Sequence, residues 1–333
     1  MNLRLKNIQK IAVFRALQLG DMLCAMPAIR ALRSSYPDAE ITLIGLPWAK
    51  SFVERFSDYI DRFISFPGYP GLPEQPFDEE KFELFVKKAR KEKFDLLLQM
   101  QGNGTIVNEL LSQFGAANLA GFYNDESYMD SPLFMRYPDH GAEKYRHLLL
   151  MQHLGIQLKG SHLDFPLTQK DQQDYDALLL PVQPKSFIII HPGSRGAWRQ
   201  WPPKYFAALG DYYIEEGFTV IITGTANESD ITSEVIKSMH HLPIDLTGKT
   251  SLGALALLVK NAFMIIANCT GISHIADALD TRSVIISMDG EPERWSPENK
   301  HLHKVIDWTK ESDFKKVFLE SKNLAGDLSI LNS

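Results

Sequence analysis

FIIIHPGSRGAWRQWPPKYFAALGDYYIEEGFTVIITGT, residues Phe187–Thr225, is the stretch whose reading decides the fold. An apolar run, Phe187–His191, stops at a Pro-Gly-Ser turn. Helical spacing follows over Lys204–Glu216, and a second apolar run, Phe218–Thr223, stops at Thr-Gly. Runs that are apolar throughout, rather than alternating, suit strands covered on both faces, and strand–helix–strand order makes a parallel βαβ unit. Outward from this stretch the pattern repeats: a helix over Leu252–Asn261 and strands at Phe263–Asn268 and Ser283–Ser287. On the N-terminal side, strands are expected at Ile11–Arg15, Ile41–Gly45 and Phe94–Met100, with a helix over Pro27–Ser35 whose first turn holds Pro27. The Pro- and Gly-rich segment Phe66–Glu80 reads as a mobile loop. The expected organisation is α/β, with a domain over residues 1–165, a linker over 166–185, a second domain over 186–322 and a disordered tail over 323–333.

At 333 residues the chain is long for one core, and 44% hydrophobic with 23% charged residues is globular composition. A net charge of −6 excludes a general nucleic-acid binder, which needs a basic excess, but leaves room for a local phosphate pocket. Two cysteines, Cys24 and Cys269, are too few for a secreted disulfide framework. The first apolar run is too short for a signal peptide, and none approaches the ~20 residues that span a bilayer. The expected location is cytoplasmic, with any membrane contact peripheral, at the inner face of the inner membrane. The basic start MNLRLKNIQK reads either as a solvated lead-in to the first strand or as a contact with anionic lipid.

Ligands of open parallel sheets bind outside the carboxyl ends of the strands, and four motifs fall there. In LQLGDMLCAMP, Leu17–Pro27, Gly20 permits a turn, and Asp21 reads as a general base for a hydroxyl or as a helix N-cap. In HPGSRGAWRQWP, Ser194, Arg195 and Arg199 are candidates for a diphosphate, arginine offering a planar fork of donors; a solvated face is the alternative. Trp198 and Trp201 read as stacking platforms or as packing. In TGTANESD, Glu228 reads as an acceptor for two ribose hydroxyls or as an acid favoured by a helix N-terminus. In NCTGISHIADAL, Thr270, Gly271 and His274 open a helix whose unpaired amides suit an anion. Gln101, directly after the strand ending at Met100, joins Gly20 as an acceptor-side candidate. The chain lacks both G-x-G-x-x-G and the P-loop pattern.

Together these motifs resemble glycosyltransferase family 9, the heptosyltransferases that build the inner core of lipopolysaccharide. The likeness runs from Ile11 to Pro297. It rests on Gly20, Asp21 and Pro27, the HPGS turn, Trp201–Pro202, the TG-x3-E ending in Glu228, LTGKTSL (Leu246–Leu252), and Thr270, Gly271 and His274. The resemblance implies a GT-B fold of two Rossmann-like domains facing a central cleft, acceptor on the first, donor on the second. It implies inverting, metal-independent transfer of a sugar, heptose among the candidates, from a nucleotide-sugar, ADP-linked by the family's habit, to a lipopolysaccharide-core or other glycan, lipid-linked or not. Asp21 matches the family's general base and Glu228 its ribose-binding acid. No cofactor or metal is implied, and the Asp174/Asp176 pair looks incidental. Two positions depart: Arg199 stands where the family commonly has Lys, and Cys269 where it usually has Asp. Cys269 keeps open a nucleotide-sugar binder without turnover, and, with His274, the nucleophile pair of a hydrolase.

Overall fold

The computed structural model describes residues 5–124 and 126–326, which form two compact units that divide between His162 and Leu163. In the first unit the strands are β1 (Lys10–Phe14), β2 (Glu40–Gly45), β3 (Arg62–Ser65), β4 (Leu96–Gln99), β5 (Leu119–Tyr123) and β6 (Phe134–Arg136). Helices α1 (Leu19–Ser35), α2 (Ala49–Arg55), α3 (Glu79–Glu92), α4 (Val107–Ser112) and α5 (Glu143–His153) connect and cover them. In the second unit α6 (Gln169–Asp176) precedes β7 (Phe187–His191), α7 (Pro203–Glu215), β8 (Thr219–Ile222), α8 (Ser229–Ser238), β9 (Ile244–Asp245) and α9 (Leu252–Asn261). It continues through β10 (Met264–Asn268), α10 (Gly271–Ala278), β11 (Ser283–Ser287), α11 (Pro292–Trp295), β12 (His303–Asp307) and α12 (Phe314–Ala325).

Each unit holds a six-stranded parallel sheet, and the two have one topology. The orders are β3-β2-β1-β4-β5-β6 and β9-β8-β7-β10-β11-β12. The strand order reverses between the first and fourth strands of each sheet, and such a switch point opens a crevice at the carboxyl ends where ligands bind. The register is set by β1 against β4 (Val13 opposite Leu98) and β7 against β10 (Ile190 opposite Ile266). Those four central strands are buried almost throughout, because helices cover both faces. This is the expected two-sheet α/β architecture.

Aromatic side chains fill the cores. In the first unit Phe14 meets Phe66 edge-on at 5.0 Å, and Phe66 meets Phe85 at 5.8 Å. In the second, fully buried Trp201 packs against Tyr205, Phe206 and Trp308 with ring centroids 5.0–5.3 Å apart. Each such ring buried contributes on the order of 2–3 kcal/mol.

Several boundaries differ from expectation. Helix α1 begins at Leu19, so Pro27 sits in its interior rather than its first turn. The lost amide bond is outweighed because residues 22–29 are buried without a break. The loop 66–80 is pinned at its start by Phe66 and by Tyr69 packed on Phe82 at 5.1 Å. Within the segment 166–185, α6 carries a Thr168–Asp171 capping box and packs on α9, Asp174 accepting from Ser251 Oγ at 2.9 Å. Helix α12 extends to Ala325, so the first residues of the expected tail are helical; the remainder, 327–333, lies outside the described residues. Among the described residues no helix is long and apolar enough to cross a membrane.

Candidate functional site

The first unit gathers charge at the carboxyl end of β1. Arg15 follows the strand and is fully buried. Its Nε donates to the Asp21 backbone carbonyl at 2.9 Å and its Nη1 to the Met100 carbonyl, tying β1, α1 and the end of β4 together. Its Nη2 lies 3.2 Å from Glu143 Oε1 and 3.9 Å from Asp21 Oδ1. Asp21 is therefore not an N-cap. Gln18 holds that position without a side-chain bond, and Gly20 and Asp21 lie inside the first turn. That turn presents the Asp21 carboxylate with its side chain one quarter exposed, 25%, in the only acidic residue of the turn. Gln101, an acceptor-side candidate, stands just past the end of β4. Its side chain is buried, and Oε1 accepts from Ala16 N at 2.7 Å, so it locks the ends of β1 and β4.

The second unit brings residues of three motifs to the ends of β7, β8 and β10. Asn268, the last residue of β10, accepts from Trp201 N at 3.0 Å and donates to Pro192 O at 2.6 Å. It pins both ends of the HPGS–WP loop, and its fully buried amide was not singled out in the sequence. Glu228 turns back toward that loop. A methyl group at Gly193 would lie 2.2 Å from the Glu228 Cδ and Oε1, so only glycine admits the carboxylate. Glu228 Oε2 accepts from Thr225 N at 2.7 Å and Thr225 Oγ1 at 2.9 Å, closing a capping box. Beneath it His191 Nδ1 lies 3.0 Å from Thr223 Oγ1, and burial holds the imidazole below its usual range.

Thr270 is the N-cap residue of α10, and its buried Oγ1 has no hydrogen-bond partner among the described residues. Gly271 opens the helix, whose first amides are unpaired within it. His274, one turn in, is buried with its ring 6.2 Å from that of Trp295. Ser194 is buried at the HPGS turn, whereas Arg195 is exposed. Arg199 is not a solvated arginine: it pairs with Asp289, whose Oδ1 accepts from Ser287 Oγ at 2.8 Å. Trp201 is packing, and Trp198, 69% exposed beside the Arg199 guanidinium, is not.

Cys269 is buried, and its thiol is pushed up to about 12, first by burial and then by the Asp289 charge. A thiol so held is the reverse of an activated nucleophile. Asp174 and Asp176 are engaged on the α6 surface, Asp174 with Lys170 at 2.9 Å and Asp176 with Gln172 at 2.8 Å.

Residues 84–323 match glycosyltransferase family 9 (heptosyltransferase). Lipopolysaccharide heptosyltransferase 2 of Salmonella typhimurium is 22% identical over 325 residues, covering 89% of this chain and 87% of that relative. Among solved structures, a family 9 glycosyl transferase from Veillonella parvula has a TM-score of 0.74 at 19% identity, over 96% of this chain and 91% of that one. E. coli ADP-heptose lps heptosyltransferase II has a TM-score of 0.73 at 18% identity, over 96% and 98%. At these identities the structures establish the fold, GT-B.

Proposed function

We propose, on the premise that this chain belongs to glycosyltransferase family 9 and is a glycosyltransferase, that it moves a heptose from an ADP-linked donor to a lipopolysaccharide-core acceptor. The observation that carries the reading is the convergence in the second unit of Glu228, the Gly193–Ser194 turn, Arg199 and the opening of α10. A carboxylate for the ribose hydroxyls stands beside donors for a diphosphate, at the switch point of the sheet. The relatives supply the rest: lipopolysaccharide heptosyltransferase 2 is named for its acceptor and sugar, and the E. coli heptosyltransferase II for ADP-heptose.

The mechanism follows from placing groups where charge develops. Asp21 takes the proton of the acceptor hydroxyl as its oxygen attacks the anomeric carbon, so the bond to the diphosphate breaks from the opposite face and the configuration inverts. Arg199, Ser194 and the first amides of α10 receive the charge on the departing diphosphate, the task that a metal performs elsewhere. The acceptor is lipid-linked, and we place the protein in the cytoplasm, meeting the inner face of the inner membrane peripherally.

A second reading is favoured by one observation. Arg199 is already paired with Asp289, and Cys269 offers no carboxylate, an arrangement suited to holding a nucleotide-sugar without turning it over. One experiment separates the two: calorimetric titration with ADP-, UDP- and GDP-sugars beside a product assay with lipopolysaccharide-core acceptors. Transfer from ADP-heptose with an inverted anomeric centre, read by NMR, is the expected result. Binding of ADP-sugars without product from any acceptor would replace the proposal by the second reading.

A further inference from the structure

Arg199 is offered to the donor by an exposed stretch of chain. Residues 195–200 are exposed or half-buried, and the Arg199 side chain is 28% exposed at the end of the short turn Ala197–Arg199. An arginine so placed has many rotamers, and meeting a diphosphate would take that freedom away. We propose that Asp289 is a positioning residue, which fixes the Arg199 guanidinium in advance at the place where the leaving diphosphate gathers charge. The inference rests on reading the chain as a transferase with Arg199 at the diphosphate.

Asp289 is built to be the fixed member of the pair. Its side chain is 6% exposed, and Oδ1 accepts from Ser287 Oγ at 2.8 Å and from Glu291 N at 3.2 Å. Ser287 is the last residue of β11, so the carboxylate is tied to the end of a buried strand. Gly290, between Asp289 and Glu291, has a φ of +71°, and a methyl group there would lie 3.1 Å from Thr309 Oγ1. The turn therefore asks for glycine at that position. With Oδ1 so held, Oδ2 is turned to Arg199 Nη2. The carboxylate comes from the sheet and the arginine from the exposed turn, so order passes from Asp289 to Arg199.

A second restraint comes from Trp198, whose ring centroid lies 5.5 Å from the guanidinium carbon, a cation–π distance. Contact with a carboxylate and with a ring defines both the place and the plane of the fork. One carboxylate oxygen does not consume a guanidinium, which has five N–H donors, and the donors beyond Nη2 are those a phosphate oxygen would meet. The pair also adjoins the opening of α10. The Cys269 thiol, directly before the N-cap Thr270, is raised first by burial and then by the Asp289 charge, with Arg199 opposing. The opposing effect of Asp289 is repulsion, because a carboxylate near a diphosphate weakens its binding. Orientation and repulsion offset each other in ADP affinity, whereas the rate of transfer reports orientation.

The test is a double-mutant cycle on the full chain, read in single-turnover transfer from ADP-heptose. ADP affinity by calorimetry and urea midpoints are measured on the same preparations. Asp289→Asn keeps the shape of the side chain and removes its charge. Transfer is expected to slow roughly 10- to 100-fold, the effect of misplacing a group by about 1 Å, while ADP affinity falls less than about threefold. In Arg199→Ala, where no guanidinium is left to orient, adding Asp289→Asn slows transfer no further. Native-rate transfer by folded Asp289→Asn, or additive losses in the double variant, overturns the inference. So does a parallel loss of transfer, ADP affinity and urea midpoint, which marks a merely structural residue. If Asp289→Asn is insoluble, Ser287→Ala loosens the same carboxylate: slower transfer in the native background but not in Arg199→Ala supports the inference, and equal effects in both overturn it. The reading of Arg199 fails separately, if Arg199→Ala transfers at the native rate.

Discussion

Replacing Gly193 by alanine should disable the donor site while barely touching the fold. The added methyl would sit 2.2 Å from the Glu228 Cδ and Oε1 and 2.6 Å from Oε2. What it strikes is the far end of a flexible side chain, which can swing away, so the backbone need not shift. Swinging away costs the two bonds from Thr225, an N-cap worth about 1 kcal/mol. The same motion withdraws the carboxylate from the place assigned to the ribose. Hydrogen bonds to a charged group are worth about 1.5–3 kcal/mol, which converts to a loss of ADP affinity of roughly 10- to 150-fold. Urea unfolding and calorimetric titration with ADP measure the two effects independently. Because both act through one carboxylate, Glu228→Ala should add nothing to Gly193→Ala in the double variant. Native ADP affinity in Gly193→Ala, or full additivity in the double variant, would refute the reasoning.

Two further predictions concern buried groups. With its thiol pushed up to about 12, Cys269 is almost wholly protonated at pH 8, its thiolate fraction roughly a thousandfold below that of a free cysteine. Iodoacetamide should therefore leave it unmodified in the native chain and label it in urea, as mass spectrometry of the digested protein will show; rapid native labelling contradicts the site as described. His147, held down to about 4, stays neutral in the folded state where the unfolded imidazole takes a proton near 6.5. The unfolded state then binds more protons, so stability falls as pH drops from about 6.5 to 4, by on the order of 3 kcal/mol from this residue. Urea midpoints across that window should fall less in His147→Gln than in the native chain, and parallel curves would contradict the burial of His147.

The central strands were legible because burial on both faces writes a continuous apolar run, as in Phe187–His191 and Phe263–Asn268. The edge strands left no such mark. β3 is half-exposed RFIS, β6 has three residues and β9 two, too short for any periodicity to register. Pro27 misled because proline ordinarily opens helices, whereas here burial of the surrounding turns outweighs the missing amide bond. Glu228 was legible as an acid at the end of a strand, and the Thr225-x-x-Glu228 spacing of its capping box also stands in the sequence. Asn268 shows only as the last residue of an apolar run, with nothing to reveal that its amide clasps Pro192 and Trp201. The Arg15–Glu143 pair joins residues 128 positions apart, and no local pattern announces it. Asp289 was likewise invisible beside Arg199, a partner 90 positions away.

The account turns on a division of labour: a carboxylate of the first unit acts on the acceptor, and the second unit holds the donor. Replacing Asp21 by asparagine, nearly the same in shape but unable to take the proton, tests it directly. Single-turnover transfer from ADP-heptose and calorimetric binding of ADP are measured on the same preparation. Transfer should fall by at least roughly a hundredfold while ADP affinity stays native. Native-rate transfer by Asp21→Asn, or a loss of ADP binding equal to the loss of transfer, would contradict the account.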